Sequence, residues 1–357
     1  MTRCLYICSH QTLIDFEVPI LFQAGCEVYC VKSLQHIEAK HHTVEAKPDR
    51  LQHYDSMLTI PTECIQKLNT VHWYNNEAVD QDTLAILNKY FDFVVCTLLT
   101  SGNLLKQLSN EYKGKVCIRL FGREGTLTYE YFMPQFAEAV DKFQFWISYP
   151  EILAFELAND TSISKHNNFI IALGVSQVFF DEYVDTWNPV QNKVSFVCSK
   201  VGMMGYYTNI FHEFEANFSH LIHADQVVLL GKNNHISRSY LKDNLNNHDF
   251  YKQIQTCKAM YYHGKEPRHM HYHPLEAVVI GCPVIFHEES LLASFLPDSP
   301  GKCSSMKEAR EKIQLILDGD TNFIESVLES QKKCRELVHP KNMGHIFNQV
   351  LPLLKRL

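Results

Sequence analysis

Apolar runs punctuated by turn residues set the frame of this chain. Arg3–Ser9 reads as a first strand. Residues 13–24 repeat apolar positions at helical spacing, with Gly25 as the stop and Pro19 inside, where it should kink or shorten the helix. Glu27–Val31 is a second strand, so the chain opens as a βαβ unit and a parallel sheet follows. Residues 32–58 are polar and carry His36, His41, His42 and His53 without periodicity, which predicts loops or short helices on a solvated surface. A strand at Val71–Tyr74 and a helix over 79–90 come next. Strands follow at Asp92–Thr97 and Lys115–Phe121, with a turn at Thr100–Gly102 that can start a helix. A helix over 127–141 and strands at Phe143–Ile147 and Phe169–Leu173 complete the first sheet.

The polar stretch Asp185–Lys193 is the best linker in the chain, and the pattern then starts again. Strands are predicted at Val194–Cys198, Gln226–Leu230 and Lys258–Tyr262, with helices over 206–222 and 246–257. Helices over 305–318, 321–337 and 342–357 close the chain. Two βα repeats in 357 residues predict two domains.

Composition changes little in this picture. Hydrophobic content of 46% and charged content of 20% belong to an ordinary globular protein. A net charge of -7 argues against a general nucleic-acid binder. No apolar run reaches the roughly 18 residues of a membrane helix, and the N-terminal apolar run is too short for a signal peptide. The 12 cysteines are scattered, without a Cys-x-x-Cys pair, which predicts reduced and mostly buried thiols of a cytoplasmic protein.

The richest stretch is His271–Phe286, read as loop, helix, turn and strand. Pro274 suits a first helical turn, Glu276 is favoured there by the helix dipole, and Gly281 and Pro283 end the helix. The free N–H groups of such a start make an anion site, and Arg268, His269, His271 and His273 lie just upstream. Ligands of parallel sheets bind beyond the carboxyl ends of the strands. Those positions hold Ser199, Lys200, Gly231, Lys232 and residues 263–273 in the second half. In the first half they hold Ser9, His10, residues 100–102 and Arg119–Glu124.

Pro274-Leu275-Glu276-Ala277 followed by Gly281-Cys282-Pro283-Val284-Ile285 resembles the donor-binding motif of glycosyltransferases of the two-Rossmann-domain, or GT-B, type. The resemblance implies an α/β fold with two Rossmann-like domains facing a cleft. It places an acceptor domain at 1–188 and a nucleotide-sugar domain at 189–341, with a C-terminal helix over 342–357 crossing back to the first domain. It implies a metal-independent glycosyltransferase without a cofactor, the nucleotide sugar being a substrate and the acceptor a glycan or lipid-linked glycan of polysaccharide biosynthesis. Peripheral membrane contact is compatible with a lipid-linked acceptor.

The same resemblance gives the ribose hydroxyls to Glu276 and the phosphates to Lys200 and Lys232, and Arg268, His269 and His273, just upstream of the helix start, join them as phosphate candidates. Glu124, His10 and Asp15 are the candidate catalytic groups, because inverting transfer needs a base for the acceptor hydroxyl. Arg123 and Ser101 are candidates for acceptor binding. Many retaining members place a second Glu where this chain has Arg268, eight residues before Glu276, so that Glu is not carried over. The pair His273-Pro274 is also similar to an element of transferases that use CMP-activated acidic sugars, Kdo-like or sialic-acid-like, which stands as an alternative. A GT-B-fold sugar-nucleotide epimerase and a non-catalytic nucleotide-binding scaffold are the other two. The single Asp-x-Asp, Asp80-Gln81-Asp82, sits at a predicted helix start and is read as dipole chemistry, not as a metal site.

Overall fold

The structure is a computed structural model. It describes residues 1–8, 10–31, 49–74, 77–97, 102–122, 142–159, 168–232 and 235–355. The helix expected over 127–141 and the histidines at 36, 41 and 42 lie outside these residues.

The chain forms two compact units, residues 1–177 with 340–357, and residues 178–339. In the first unit the elements run β1 Thr2–Ile7, α1 Gln11–Gln23, β2 Cys26–Cys30, α2 Asp49–Ser56, α3 Thr62–Asn69, α4 Gln81–Tyr90, β3 Phe93–Thr97 and α5 Gly102–Glu111. They continue as β4 Lys115–Leu120, β5 Phe143–Ile147, α6 Pro150–Ala158 and β6 Asn168–Ile170. Helix α7, Gln177–Tyr183, leads into the second unit. The six strands form one parallel sheet in the order β2-β1-β3-β4-β5-β6. A parallel sheet is covered on both faces, which is why β1 to β5 read as nearly unbroken apolar runs.

Three expectations need correction here. Val71–Tyr74 is a turn and not a strand, because Trp73 folds back and donates its indole N–H to the carbonyl of Leu68 in α3 (3.3 Å). The strand predicted at Phe169–Leu173 is the short edge strand β6, which ends at Ile170. Helix α1 is not shortened at Pro19 and runs on to Gln23, although the ring removes the bond to the Asp15 carbonyl. The reading of Asp80 holds: its carboxylate caps α4 by accepting from the Thr83 N–H (2.7 Å) and pairs with Lys67 (2.6 Å).

In the second unit the order is β7 Gln191–Val197, α8 Gly205–His223, β8 Val227–Gly231, β9 Leu241–Asp243, α9 Asn247–Thr256, β10 Cys257–Tyr262, α10 His273–Ile280 and β11 Val284–His287. Then follow α11 Leu292–Phe295, β12 Lys302–Cys303, α12 Met306–Asp318 and α13 Thr321–Leu337. Its sheet is also parallel, ordered β12-β11-β10-β7-β8-β9. Phe196 stacks on Phe214 at 4.0 Å in its core, with Phe218 and Tyr261 around them. Residues 185–188 are tied down: the N–H groups of Asp185 and Trp187 reach the last carbonyls of α10 (3.1 and 3.0 Å), and that of Asn188 reaches Gln255 (2.9 Å). Buried Gln331 bonds both the Val284 N–H (2.9 Å) and the Cys282 carbonyl (3.0 Å), fixing the turn between α10 and β11. The chain then returns to the first unit as α14, Gly344–Leu354, where Phe347 meets Trp146 at 5.7 Å between ring centroids.

All twelve thiols are free and eleven are buried. Among the described residues, no helix is long and apolar enough to cross a membrane, and no group of three or more His, Cys, Asp or Glu is placed to hold a metal ion.

Candidate nucleotide site

The strand order of the second sheet locates the site. From β7 the chain builds outward through β8 and β9, then returns to the other side of β7 as β10. This reversal is the switch point at which open α/β sheets bind ligands beyond the carboxyl ends of their strands. Residues 198–202 leave β7 there, and residues 263–272 leave β10 and run into α10.

Helix α10 forms for the reasons its sequence suggests. Pro274 occupies its first turn, all eight residues are buried, and Gly281 closes it in the left-handed region at φ 86°. Its first N–H groups have no partner inside the helix. Glu276 in that first turn is only 4% exposed and accepts one hydrogen bond from the Tyr251 hydroxyl of α9 (3.0 Å). Burial raises its pKa to about 7, and the Tyr251 bond opposes that rise. A carboxylate held dry with spare acceptor capacity suits a ligand that brings hydroxyl donors.

Four histidines close around the helix start. His271 stands 5.2 Å from His273 and 5.0 Å from His269 between ring centroids, and His263 stands 5.8 Å from His271 and 6.4 Å from His273. Tyr207 of α8 meets His271 Nε2 at 3.2 Å, and the Tyr262 hydroxyl receives the His271 N–H at 3.4 Å. Neither ring nitrogen of His263 has a hydrogen-bond partner, nor has Nε2 of His273. Both side chains are more than nine-tenths buried. Burial pushes the His263 pKa down to about 3, and burial with His263 and His269 nearby holds His273 well below the ordinary range. Both imidazoles are therefore neutral at pH 7. Buried polar nitrogens without partners are rare in folded proteins and mark places where something else binds.

The expected cations are placed differently from one another. Arg268 lies beside the cluster but is held by Glu266, through Nε to Oε1 (2.6 Å) and a second nitrogen to Oε2 (3.1 Å). Lys200 and Lys232 sit on the loops after β7 and β8, both exposed, with the Lys200 N–H bonded to the Lys232 carbonyl (3.0 Å). Gly231 makes that approach possible. A Cβ there would stand 2.6 Å from the Cys198 carbonyl oxygen, and its φ of 143° is open only to glycine. Histidines 269 and 273, Glu276 and Arg268 thus share one neighbourhood. The two lysines belong to the adjoining strand ends.

In the first unit His10 is the exposed residue before α1, beyond β1 and beside the switch between β1 and β3. Asp15 lies one turn further on and accepts from the Gln11 amide (2.8 Å). Ser101, Arg123 and Glu124 lie outside the described residues. Arg119, expected among the strand-end positions that face a ligand, is instead part of the core, paired with Glu17, which sequence reasoning missed. Arg119 and Glu17 are wholly buried, with Arg119 Nε on Glu17 Oε1 at 2.7 Å. Arg119 also donates to the carbonyls of Trp146 (3.1 Å) and Ile171 (2.6 Å) and to Ser148 Oγ (3.0 Å), while the Tyr6 hydroxyl bonds the other Glu17 oxygen. The signal was present: a lone Arg in an apolar strand and a Glu on the apolar face of α1.

No protein-family model and no curated protein matches the chain. Solved structures do. Sucrose-phosphate synthase of Thermosynechococcus elongatus superposes with a TM-score of 0.64 at 12% identity, over 99% of both chains. The Anabaena protein HepE in complex with UDP-glucose gives 0.58 at 10% identity, again over 99% of both. A UDP-forming α,α-trehalose-phosphate synthase from Burkholderia xenovorans gives 0.55 at 10%, over 99% of this chain and 98% of that one. These neighbours are glycosyltransferases of the GT-B type, and the chain shares their fold of two Rossmann-like units.

Proposed function

We propose that this protein is a glycosyltransferase that moves a sugar from a nucleotide-sugar donor to a glycan or glycoconjugate acceptor. The observation that carries the reading is the buried, half-satisfied Glu276 in the first turn of α10, at the switch point of the second sheet and beside the histidine cluster. There a nucleoside diphosphate can offer ribose hydroxyls to the carboxylate and phosphate oxygens to the helix start. The structural neighbours crystallised with UDP-glucose or described as UDP-forming make a uridine nucleotide the first donor to test.

In this reading residues 189–341 carry the donor and residues 1–188 the acceptor, with 342–357 as the returning helix. Glu276 holds the ribose. Phosphate charge, which grows as the sugar leaves, is met by the N–H groups of α10, by His269 and His273, and by Lys200 and Lys232, without a metal. Arg268 joins them by exchanging Glu266 for phosphate, a bidentate partner of equal geometry. His10, Asp15 and Glu124 remain the candidates for the base that takes the acceptor proton, and Arg123 and Ser101 those for holding the acceptor.

Thermal unfolding with UDP-, GDP-, TDP- and CMP-nucleotides, in wild type and Glu276→Ala side by side, tests this. A uridine nucleotide should raise the melting temperature of the wild type and leave the variant unmoved. A response to CMP alone would transfer the reading to an acidic-sugar donor. No response to any nucleotide would defeat it.

A further inference from the structure

The histidine cluster is unlike a fixed-charge phosphate site. Its nearest cations are already neutralised: Arg268 is held by Glu266, and Lys265 Nζ by Glu213 Oε1 of α8 (2.7 Å). The remaining titratable groups around it are Tyr207 of α8, Tyr262 of β10, His287 of β11, and Glu276 with its partner Tyr251 of α9. His287 is itself neutral at pH 7, with burial pushing its pKa down to about 4, and its Nε2 meets the Tyr261 hydroxyl (2.8 Å). A phosphate entering at α10 would therefore meet the neutral imidazoles of His263 and His273 with unused nitrogens, beside cations that are already paired.

We propose that His263 and His273 act together as a proton acceptor that charges when a phosphate group binds at the start of α10, so that donor binding takes up a proton. The inference rests on the nucleotide reading given above and extends it to the charge state of the site. Magnitudes allow it. One negative charge about 4 Å away, in an effective dielectric near 20, raises the proton affinity of an imidazole by about a thousandfold. Desolvation, with His287 and Lys265 nearby, has lowered that of His263 by about three thousandfold, from an ordinary pKa of 6.5 to about 3. A diphosphate carries two charges, so its arrival outweighs the depression. The 6.4 Å between the His263 and His273 rings makes the two imidazoles titrate as one set, with a shared proton and not two independent ones.

Calorimetric titration with UDP-glucose at one pH near 7.5, in two buffers of different ionisation enthalpy, measures the uptake. The diphosphate of a nucleotide sugar does not titrate near neutrality, so the protons counted belong to the protein. Inorganic sulfate, which does not titrate there either, is the second probe. The expected result is uptake of about one proton, with affinity falling up to about tenfold per pH unit above neutrality. The double variant His263→Asn/His273→Asn should bind more weakly and lose the uptake. Glu276→Gln, which removes the carboxyl that also titrates near 7, should keep the uptake and serves if the double variant does not fold; its loss there would overturn the proposal. Tight binding of UDP-glucose with equal heats in both buffers would overturn the proposal and leave the nucleotide reading intact, with Lys200 and Lys232 then supplying the charge. Undiminished uptake in the double variant would also overturn it. Sulfate binding with proton uptake, but no UDP-glucose binding, would keep the proton-coupled anion site and defeat the nucleotide reading. No binding of either probe would overturn both.

Discussion

Each sheet ends, on its carboxyl side, in a group of buried polar residues, and the two groups are opposites. Beyond the first sheet, every strong hydrogen-bonding group of the Arg119–Glu17 set is used: guanidinium to carboxylate, to two carbonyls and to Ser148, with Tyr6 on the far oxygen. Beyond the second sheet, the buried nitrogens of His263 and one of His273 have no partner, and Glu276 has one bond from Tyr251. A satisfied buried network fixes architecture, and here it stitches α1 to the ends of β4, β5 and β6. An unsatisfied one keeps hydrogen-bonding capacity in reserve for a ligand.

The contrast breaks first at Arg119. Arg119→Met strands the Glu17 carboxylate in the core and should cost about 3–5 kcal/mol in urea unfolding. His263→Phe removes nitrogens that bond nothing, so it should shift stability by about 1 kcal/mol or less while weakening UDP-glucose binding. Equal losses from both would erase the distinction.

Glu276 comes next. The folded chain keeps this proton up to about pH 7, whereas the unfolded chain gives it up near 4.5, so the native state binds more protons between those values. Stability from this group is full below about 4.5 and declines as pH rises to about 7. Glu276→Gln should abolish that decline and be more stable than wild type above pH 7, by up to roughly 3 kcal/mol. A parallel pH profile for the two proteins would refute the buried-carboxyl account.

Tyr251→Phe comes last. It should cost about 1 kcal/mol and move the Glu276 titration to higher pH, seen as an upward shift of the pH range over which stability declines. An unchanged midpoint would remove Tyr251 from the site.

Much of the fold is legible in the order of residues alone. Strands buried on both faces leave unbroken apolar runs, so β1, β3, β4, β7, β8 and β10 announce themselves. The edge strands do not: Leu241–Asp243 and Lys302–Cys303 are too short and too polar to make a run. Val71–Tyr74 misleads because an aromatic pair in a turn can be buried by folding back on its own helix. At the site, Pro274, Glu276 and Gly281 are legible because a helix start and stop impose residue types locally. Tyr207 and Tyr251 are not, since each reaches the site from a distant helix. The pairing of Arg268 with Glu266 is also hidden, although the two are neighbours in the chain, because charge pairing depends on how the loop turns.

Helix α14 has a consequence for how the protein is made. Residues 344–354 belong to the first unit but are translated after every residue of the second. On the ribosome, where chains emerge at about 5–20 residues per second, the second unit is complete while Trp146 still waits for Phe347. The unit that begins first is therefore finished last, its sheet covered by a helix made after the whole of the other unit.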